Sequence, residues 1–431
     1  MTPSPAPEPK PPHPFRIANF RAFWVSRLAM TLAQYAMLLI IGWQAYNIAR
    51  DAGMSVEASS AQLALIGLLQ FLPLFALTPF AGLAADRRNV ARAMIALQGL
   101  CAAILGVATY LDAISLPILF GVAILLGVGR GLAGPALSAL APNLVPKAVL
   151  PTAIALSSIS WQSGAIVGPA IGGYLYAVDP ALPYAVTVAL FATSFTALSL
   201  IGHVPKPAIL GARKPLKQIV EGLAYVRDNK VVLGSITLDL FAVFLAGATA
   251  LFPVYARDIL MVGAEGLSQL AAAPAVGATV TALWFSFRPI ERQVGPLMLG
   301  AVAVFAVATI VFGISTSMPL SLAALFVVGA ADMFSVYIRQ SLIQLHTPDD
   351  KRGRVSSVSL LTISASNEFG DFFSGTLASI IGPIAAVVTG GAGALLTVAA
   401  YTGLFPELRR ARSFAPPDEL ISDKPMEEPS T

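Results

Sequence analysis

One cysteine is all that this chain of 431 residues contains. Cys101 lies in an apolar run, which excludes a disulfide framework, a cysteine-rich metal site and a CxxC redox pair. Histidine is nearly as scarce. His13, His203 and His346 fall in a tail and at two helix ends, so they form neither a metal site nor a nucleophile-base pair. No GxxxxGK[ST] phosphate loop is present, which argues against ATP-driven work by this chain. Charge is also sparse: 12% of residues are charged, against about 25% in an ordinary soluble domain. No enzyme chemistry, cofactor or metal is expected from this set.

What the sequence has instead is apolar length, with 56% hydrophobic residues. Spanning about 30 Å of hydrocarbon takes about 20 apolar residues in a helix, because lipid offers no partner for free backbone groups. Twelve stretches meet that length, giving an all-α membrane protein. They run roughly over 20–49, 60–84, 90–111, 116–144, 150–178, 183–203, 231–256, 266–287, 295–315, 318–346, 355–380 and 382–404. An even count places both termini on one side. Twenty-two of the 27 basic residues share that side, two (Arg50 and Arg257) lie opposite, and three (Arg27, Arg130 and Arg339) fall inside spans. Retention of Lys and Arg in cytoplasmic loops then puts the termini in the cytoplasm. The net charge of +4 is thus a topology signal, and nucleic-acid binding is not required to explain it.

The longest internal hydrophilic stretch, 204–230, separates two bundles of six spans, 20–203 and 231–404. Within it PLKQIVEGLAYVRD places Leu216, Ile219, Val220, Leu223 and Val226 on one helical face, which reads as a cytoplasmic helix lying on the membrane surface. Residues 1–19 are proline-rich and 405–431 mix proline with charge, and both read as disordered tails.

The two halves repeat. Shifted by 202 residues, Gly168 falls on Gly370, Gly173 on Gly375, Leu175 on Leu377, Leu140 on Leu342 and Pro146 on Pro348. Parallel repeats of this kind belong to transporters whose halves rock about a central site.

Three motifs resemble those of the major facilitator superfamily. GLAADRRNVAR (82–92) carries Gly82, Asp86, Arg87 and Arg92 in the loop where that family keeps its cytoplasmic gate, although Val90 and Ala91 replace the usual basic pair. LGVGRGLAGPA (126–136) matches the family's Arg-x-x-x-Gly element at Arg130 and Gly134, an arginine that the resemblance associates with proton coupling. GAIVGPAIGG supplies Gly164, Gly168, Pro169, Gly172 and Gly173 in the pattern typical of exporters within the family. The resemblance covers residues 16–410. FRIANFRAFWVSRLAMTLAQ, EGLAYVRDN, DKRGRVSSVSLL and LFPELRR look like the bacterial branch of the enterobactin exporter and related secretion permeases. It implies twelve transmembrane helices in two pseudo-symmetric six-helix bundles, and efflux as the activity.

Ionisable residues inside spans are costly, by about 3 kcal/mol each on insertion scales, and so mark sites or ion pairs. Arg27, Arg130, Asp239, Asp332, Arg339, Glu368 and Asp371 are such residues. Arg130 and Asp332 are counterparts under the 202 shift, and a pair between them is one reading. Asp332 and Arg339, seven apart, share a helix face but stand about 10 Å apart along it, so each needs another partner. Glu368 and Asp371, at i and i+3, can carry a proton exchangeable near neutral pH for antiport, or be anchored by arginines of other helices. Trp24, Gln34, Tyr35, Trp43, Trp161, Gln162 and Tyr337 are candidate cavity-lining side chains. The expected function is proton-coupled antiport of small organic, siderophore- or drug-like molecules out of the cell by alternating access. A proton-coupled importer and a non-transporting sensor or scaffold are the alternatives.

Overall fold

The computed structural model describes residues 13–81, 87–202, 215–288, 290 and 292–414. The first half contains α1 (Ala18–Asp51), α2 (Val56–Ala81), α3 (Arg87–Tyr110), α4 (Leu116–Leu140), α5 (Leu150–Val178) and α6 (Leu182–Ser199). A short helix α7 (Pro215–Asp228) precedes α8 (Lys230–Ala246), α9 (Gly263–Phe287), α10 (Val294–Ile314), α11 (Met318–Leu345), α12 (Asp349–Ile381), α13 (Pro383–Leu404) and α14 (Pro406–Arg410). Among the described residues there is no strand. Among the described residues ten helices are long and apolar enough to cross a membrane. The two further long ones, α5 and α12, are richer in serine and, in α12, in charge.

Local sequence sets the helix ends. Asn229 caps α8, its side-chain oxygen accepting from the Val232 N–H at 3.1 Å, and prolines sit in the first turn of α4, α5, α6, α11 and α13, where no intrahelical donor is lost. The span expected over 231–256 is not one helix. α8 stops at Gly247, and the chain continues through a 3-10 turn, one helical turn at Phe252–Val254 and a π-helical turn at Tyr255–Ile259. Gly247 packs on Gly370 of α12, and a break at such a crossing is tolerated at membrane depth only where protein covers the freed backbone groups.

By contact density the chain forms two compact units. One comprises Met1–Gln44 and Leu69–Ala212, the other Ala45–Leu68 and Arg213–Thr431. Lipid tails are as apolar as leucine, so helices within each unit are held by close packing at small residues rather than by a hydrophobic drive. The repeat is visible in that packing. In the first unit Gly127 of α4 abuts the backbone carbonyl of Gln70 on α2, and its counterpart Gly329 of α11 abuts the carbonyl of Pro274 on α9. Likewise Gly168 of α5 lies against α1, where a β-carbon would come 2.7 Å from the Leu32 carbonyl oxygen, and Gly370 of α12 lies against α8, 3.0 Å from that of Val243.

Three further expectations need correction. Helix α7 does not use its apolar face on lipid alone: Val226 is buried with Val232, Ile236, Ile343, Val355 and Val358 of its own unit. Glu221 pairs with Arg354 at 2.9 Å, Tyr225 donates to the His346 carbonyl, and Lys351 sits 5.1 Å over the Tyr225 ring. Val220 and Leu223 remain exposed. Residues 405–414 are also packed into the fold. Leu408 is fully buried in a cluster with Leu238, Met298 and Ile338, and the Gln293 and Gly295 N–H groups donate to the Arg412 and Ala411 carbonyls at 2.6 and 3.0 Å. At the other end Phe15, assigned to the tail, packs edge-on against Phe20 and Trp24, and Ala18 already begins α1.

Candidate functional site

In the first unit, polar side chains from four helices meet below their apolar surroundings. Gln34 of α1 donates to Gln98 of α3 at 2.5 Å, and Gln98 occupies the space left by the missing side chain of Gly129. Next along α4, Arg130 donates to the Gln70 side chain of α2 at 3.3 Å. Arg27, on α1, has a buried Nε with no hydrogen-bond partner. The exporter-type glycines serve a tight crossing: Gly164, Gly168 and Gly172 meet Thr31, Leu32 and Ala36 of α1, Gly173 is buried, and Pro169 lies inside α5. A β-carbon on Gly134 would meet nothing within 4 Å.

The gate residues divide. Gly82 and Asp86 lie outside the described residues. Arg87 opens α3, and Arg92 stacks over the Phe195 ring at 5.3 Å. Their neighbour Arg88 reaches the end of α6, donating to the Ser199 and Gly202 carbonyls at 2.7 and 3.3 Å, a favourable place for a cation at a helix C-terminus.

In the second unit Arg339 of α11 is ion-paired with Asp239 of α8, and the two residues are 2% and 5% exposed. Arg339 thereby gains the partner that the sequence required of it. Asp332 shares a small cavity with Asp239 and Ser335, lined also by Ala242, Val243, Val302, Phe305 and Ala331. Asp332, Ser335 and Arg339 are i, i+3 and i+7 on one face of α11, a spacing that could have flagged Ser335 from sequence. On α12, Glu368 is half-buried and Asp371 accepts a hydrogen bond from Thr249 at 2.7 Å. Asp371 therefore has a hydroxyl among its partners, which sequence reasoning did not foresee.

Several expected cavity side chains are engaged in packing. Trp24 donates to the Leu156 carbonyl at 2.9 Å, Trp43 is buried, and Tyr337 stacks on Phe285 with ring centroids 4.6 Å apart. Tyr35 contacts Trp161 edge-on at 6.4 Å, while Trp161 and Gln162 are exposed.

One cluster was missed. The two bases set apart by the charge count, Arg50 and Arg257, exchange partners across the end of α1 and the π-helical turn, all within the second unit. Asp258 takes Arg50 at 2.9 Å and the Tyr46 hydroxyl at 2.5 Å, while Arg257 takes Asp51 and the Asn47 carbonyl. A π turn places adjacent residues at unusual angles, and here it presents an acid and a base together. Its sequence signal is the pairing of Arg50-Asp51 with Arg257-Asp258. Asp258→Ala should cost about 1.5 to 3 kcal/mol, the range for hydrogen bonds to charged groups. Asp51→Ala, at a side chain 70% exposed, should cost well under half of that. Thermal melts of the two purified variants check the order.

Comparison with known proteins agrees with this architecture. A family model described as Transmembrane secretion effector matches residues 10–430. The chain is 26% identical over 417 residues to the enterobactin exporter EntS of Shigella boydii serotype 18, covering 95% of this chain and 96% of the relative. It is 25% identical over the same length to EntS of Escherichia coli O1:K1. Among solved structures, a D-xylose-proton symporter superposes with a TM-score of 0.67 at 14% identity, over 90% of this chain and 98% of that one. A bacterial homologue of the human lysosomal transporter Spinster superposes with a TM-score of 0.66 at 15% identity, over 92% and 97%. These likenesses carry the fold of two six-helix bundles, and the chain is a multi-pass transporter rather than an enzyme. It belongs to the transmembrane secretion effector family of the major facilitator superfamily.

Proposed function

We propose that this protein is a proton-coupled exporter of small organic molecules, siderophore- or drug-like, working by alternating access in a bacterial inner membrane with both termini in the cytoplasm. The observation that carries the coupling is the buried Asp239–Arg339 pair with Asp332 beside it. Ionisable groups at membrane depth are costly and rare, and three together mark a functional site by default. Export as the direction rests on the likeness to EntS over nearly the whole chain and on the glycine-rich crossing of α5 with α1. The moving bodies are the sequence halves 20–203 and 231–404, joined by 204–230. Each half repeats the same glycine crossings internally, which supports its acting as a unit. Glu368 and Asp371 are assigned to the proton route, Arg130 to charge balance in the first half, and Gly82, Asp86, Arg87 and Arg92 to the cytoplasmic gate.

The test is accumulation in everted membrane vesicles of a substrate panel that includes enterobactin and amphiphilic dyes. Energised wild-type vesicles should accumulate at least one member, and Glu368→Gln and Asp371→Asn should each lower that accumulation. Loss of substrate from energised vesicles would instead indicate import. Unchanged pH-dependent transport in both variants would remove these two acids from the route.

A further inference from the structure

The first unit is short of acids. Between Ala18 and Leu200 the acidic residues are Asp51, Glu57, Asp86, Asp112 and Asp179, and every one stands at a helix end or in a connection. Two cations, Arg27 on α1 and Arg130 on α4, nevertheless stand inside spans. In the second unit the buried Arg339 is matched by Asp239. No span of the first unit carries an acid that could do the same.

Hydrogen-bond donors are in surplus there as well. The Nε of Arg27, the side-chain nitrogen of Gln70 and the Oγ of Ser157 are buried and have no hydrogen-bond partner. Gln70 is 2% exposed and Ser157 6%. The Gln70 oxygen accepts from Arg130, so the amide nitrogen is the atom left over. Position along the helices connects these groups. Trp24, Arg27 and Thr31 share one face of α1 at i, i+3 and i+7, where Trp24 donates to the Leu156 carbonyl of α5 and Thr31 abuts Gly164. Arg27 is thus held between two contacts with α5, and Ser157 lies on the stretch between them. Two turns further along that face, about 10 Å, Gln34 donates to Gln98, which fills the space beside Gly129, the neighbour of Arg130. A seam of donors therefore runs from Arg27 to Arg130 and Gln70. Trp161, one turn beyond Ser157, is exposed and meets Tyr35 edge-on.

A buried donor without an acceptor is costly, and a guanidinium at membrane depth more so, which favours a site where an acceptor arrives from outside the unit. The planar fork of arginine matches the oxygens of an acidic group, and an exposed aromatic side chain beside it offers a surface for a ring. We infer that this seam recognises the transported molecule as an organic anion: Arg27 with Ser157, and Arg130 with Gln70, bind its acidic oxygens, while Trp161 and Tyr35 receive its aromatic part. The inference rests on the transport reading and narrows it, since that reading leaves the charge of the substrate open.

Three dansyl compounds of similar size serve as probes: dansylglycine, with a carboxylate, its uncharged amide, and dansylcadaverine, with an ammonium group. Their binding to the full-length protein in detergent would be read by fluorescence at pH 7, with the signal of protein-free micelles subtracted. Wild type should bind dansylglycine at least about tenfold more tightly than the other two, the factor that one hydrogen bond between charged groups supplies. Arg27→Gln should lose that preference and keep the weaker affinity for the amide, and Arg27→Lys should retain part of it. Ser157→Ala should weaken dansylglycine without lowering the melting temperature, because its hydroxyl has no protein partner to lose. Cys101 is buried and is the sole cysteine, so a thiol-reactive dye reports unfolding of each variant. Equal affinity for the three probes, or none, a preference for dansylcadaverine, or a preference for dansylglycine that survives in Arg27→Gln overturns the inference. Arg27-dependent binding of dansylglycine, with no compound of any charge accumulated by energised everted vesicles, would overturn the transport reading and leave the anion site standing. Vesicles that accumulate dansylcadaverine but not dansylglycine would do the reverse.

Discussion

Arg339→Leu should destabilise the protein by about 3 to 5 kcal/mol, because it strands the Asp239 carboxylate, 5% exposed, without its counter-charge. Gradient-driven transport should be lost as well, because the buried charge pair is part of the proposed coupling site. The informative comparison is the double variant Asp239→Leu/Arg339→Leu. Replacing a whole buried ion pair by apolar side chains of similar volume is often neutral or stabilising. The double variant should therefore recover most of the melting temperature and none of the gradient-driven transport. Recovery of both would show that the pair is only a structural clasp. Arg339→Lys keeps the charge but not the planar donor fork, and should fall between wild type and Arg339→Leu in both measurements.

The second large effect is steric. Gly127→Leu and Gly329→Leu each drive a side chain into a backbone carbonyl, that of Gln70 in the first unit and that of Pro274 in the second. Overpacking a core with a few methylenes costs about 1 to 3 kcal/mol, and backbone on the far side leaves less room to relax, so both variants should be lost from the monodisperse folded fraction. Gly134→Leu is the control, because a β-carbon there meets nothing within 4 Å. It should fold. Fluorescence-detected size exclusion of the three variants tests the prediction, and equal loss at 127 and 329 would reflect the internal repeat in energetic form.

Much of the fold was legible because apolar length is a strong signal in lipid. Helix boundaries for α5, α9, α10, α11 and α13 fall within a few residues of the stretches read from sequence. The break at Gly247 was not legible, since Gly247 and the segment after it continue the apolar run, and only the crossing with Gly370 distinguishes the site. The packing of residues 405–414 was hidden for a related reason: Leu408 and Phe414 are single apolar residues among charges, too few for a periodic signal, yet Leu408 is fully buried and Phe414 packs on Tyr337.

The candidate site was legible residue by residue but not as a constellation. Charge inside a span identified Asp239, Asp332 and Arg339. Helical spacing ruled out the pairing of Asp332 with Arg339, but it could not choose between Asp239 and other acids, because that choice depends on how α8 meets α11. Gln70 and Gln98 escaped notice because a lone amide in an apolar run carries little weight beside an arginine, although they are the groups that meet Arg130 and Gln34. The Arg50, Asp51, Arg257 and Asp258 cluster was seen only as a count of bases on one side. Its acids supply half of the interaction, and a rule that tallies Lys and Arg passes over them.

The most direct test of the transport mechanism is counter-movement of ion and substrate in the same vesicle. Purified protein would be reconstituted into liposomes loaded with whichever panel member the vesicle assay identifies, and internal pH would be read with an entrapped dye while substrate leaves down its own gradient. Substrate efflux should drive protons inward, with a pH change that disappears in Asp332→Asn although the variant remains folded. Efflux at the wild-type rate with no accompanying proton movement would contradict proton-coupled export.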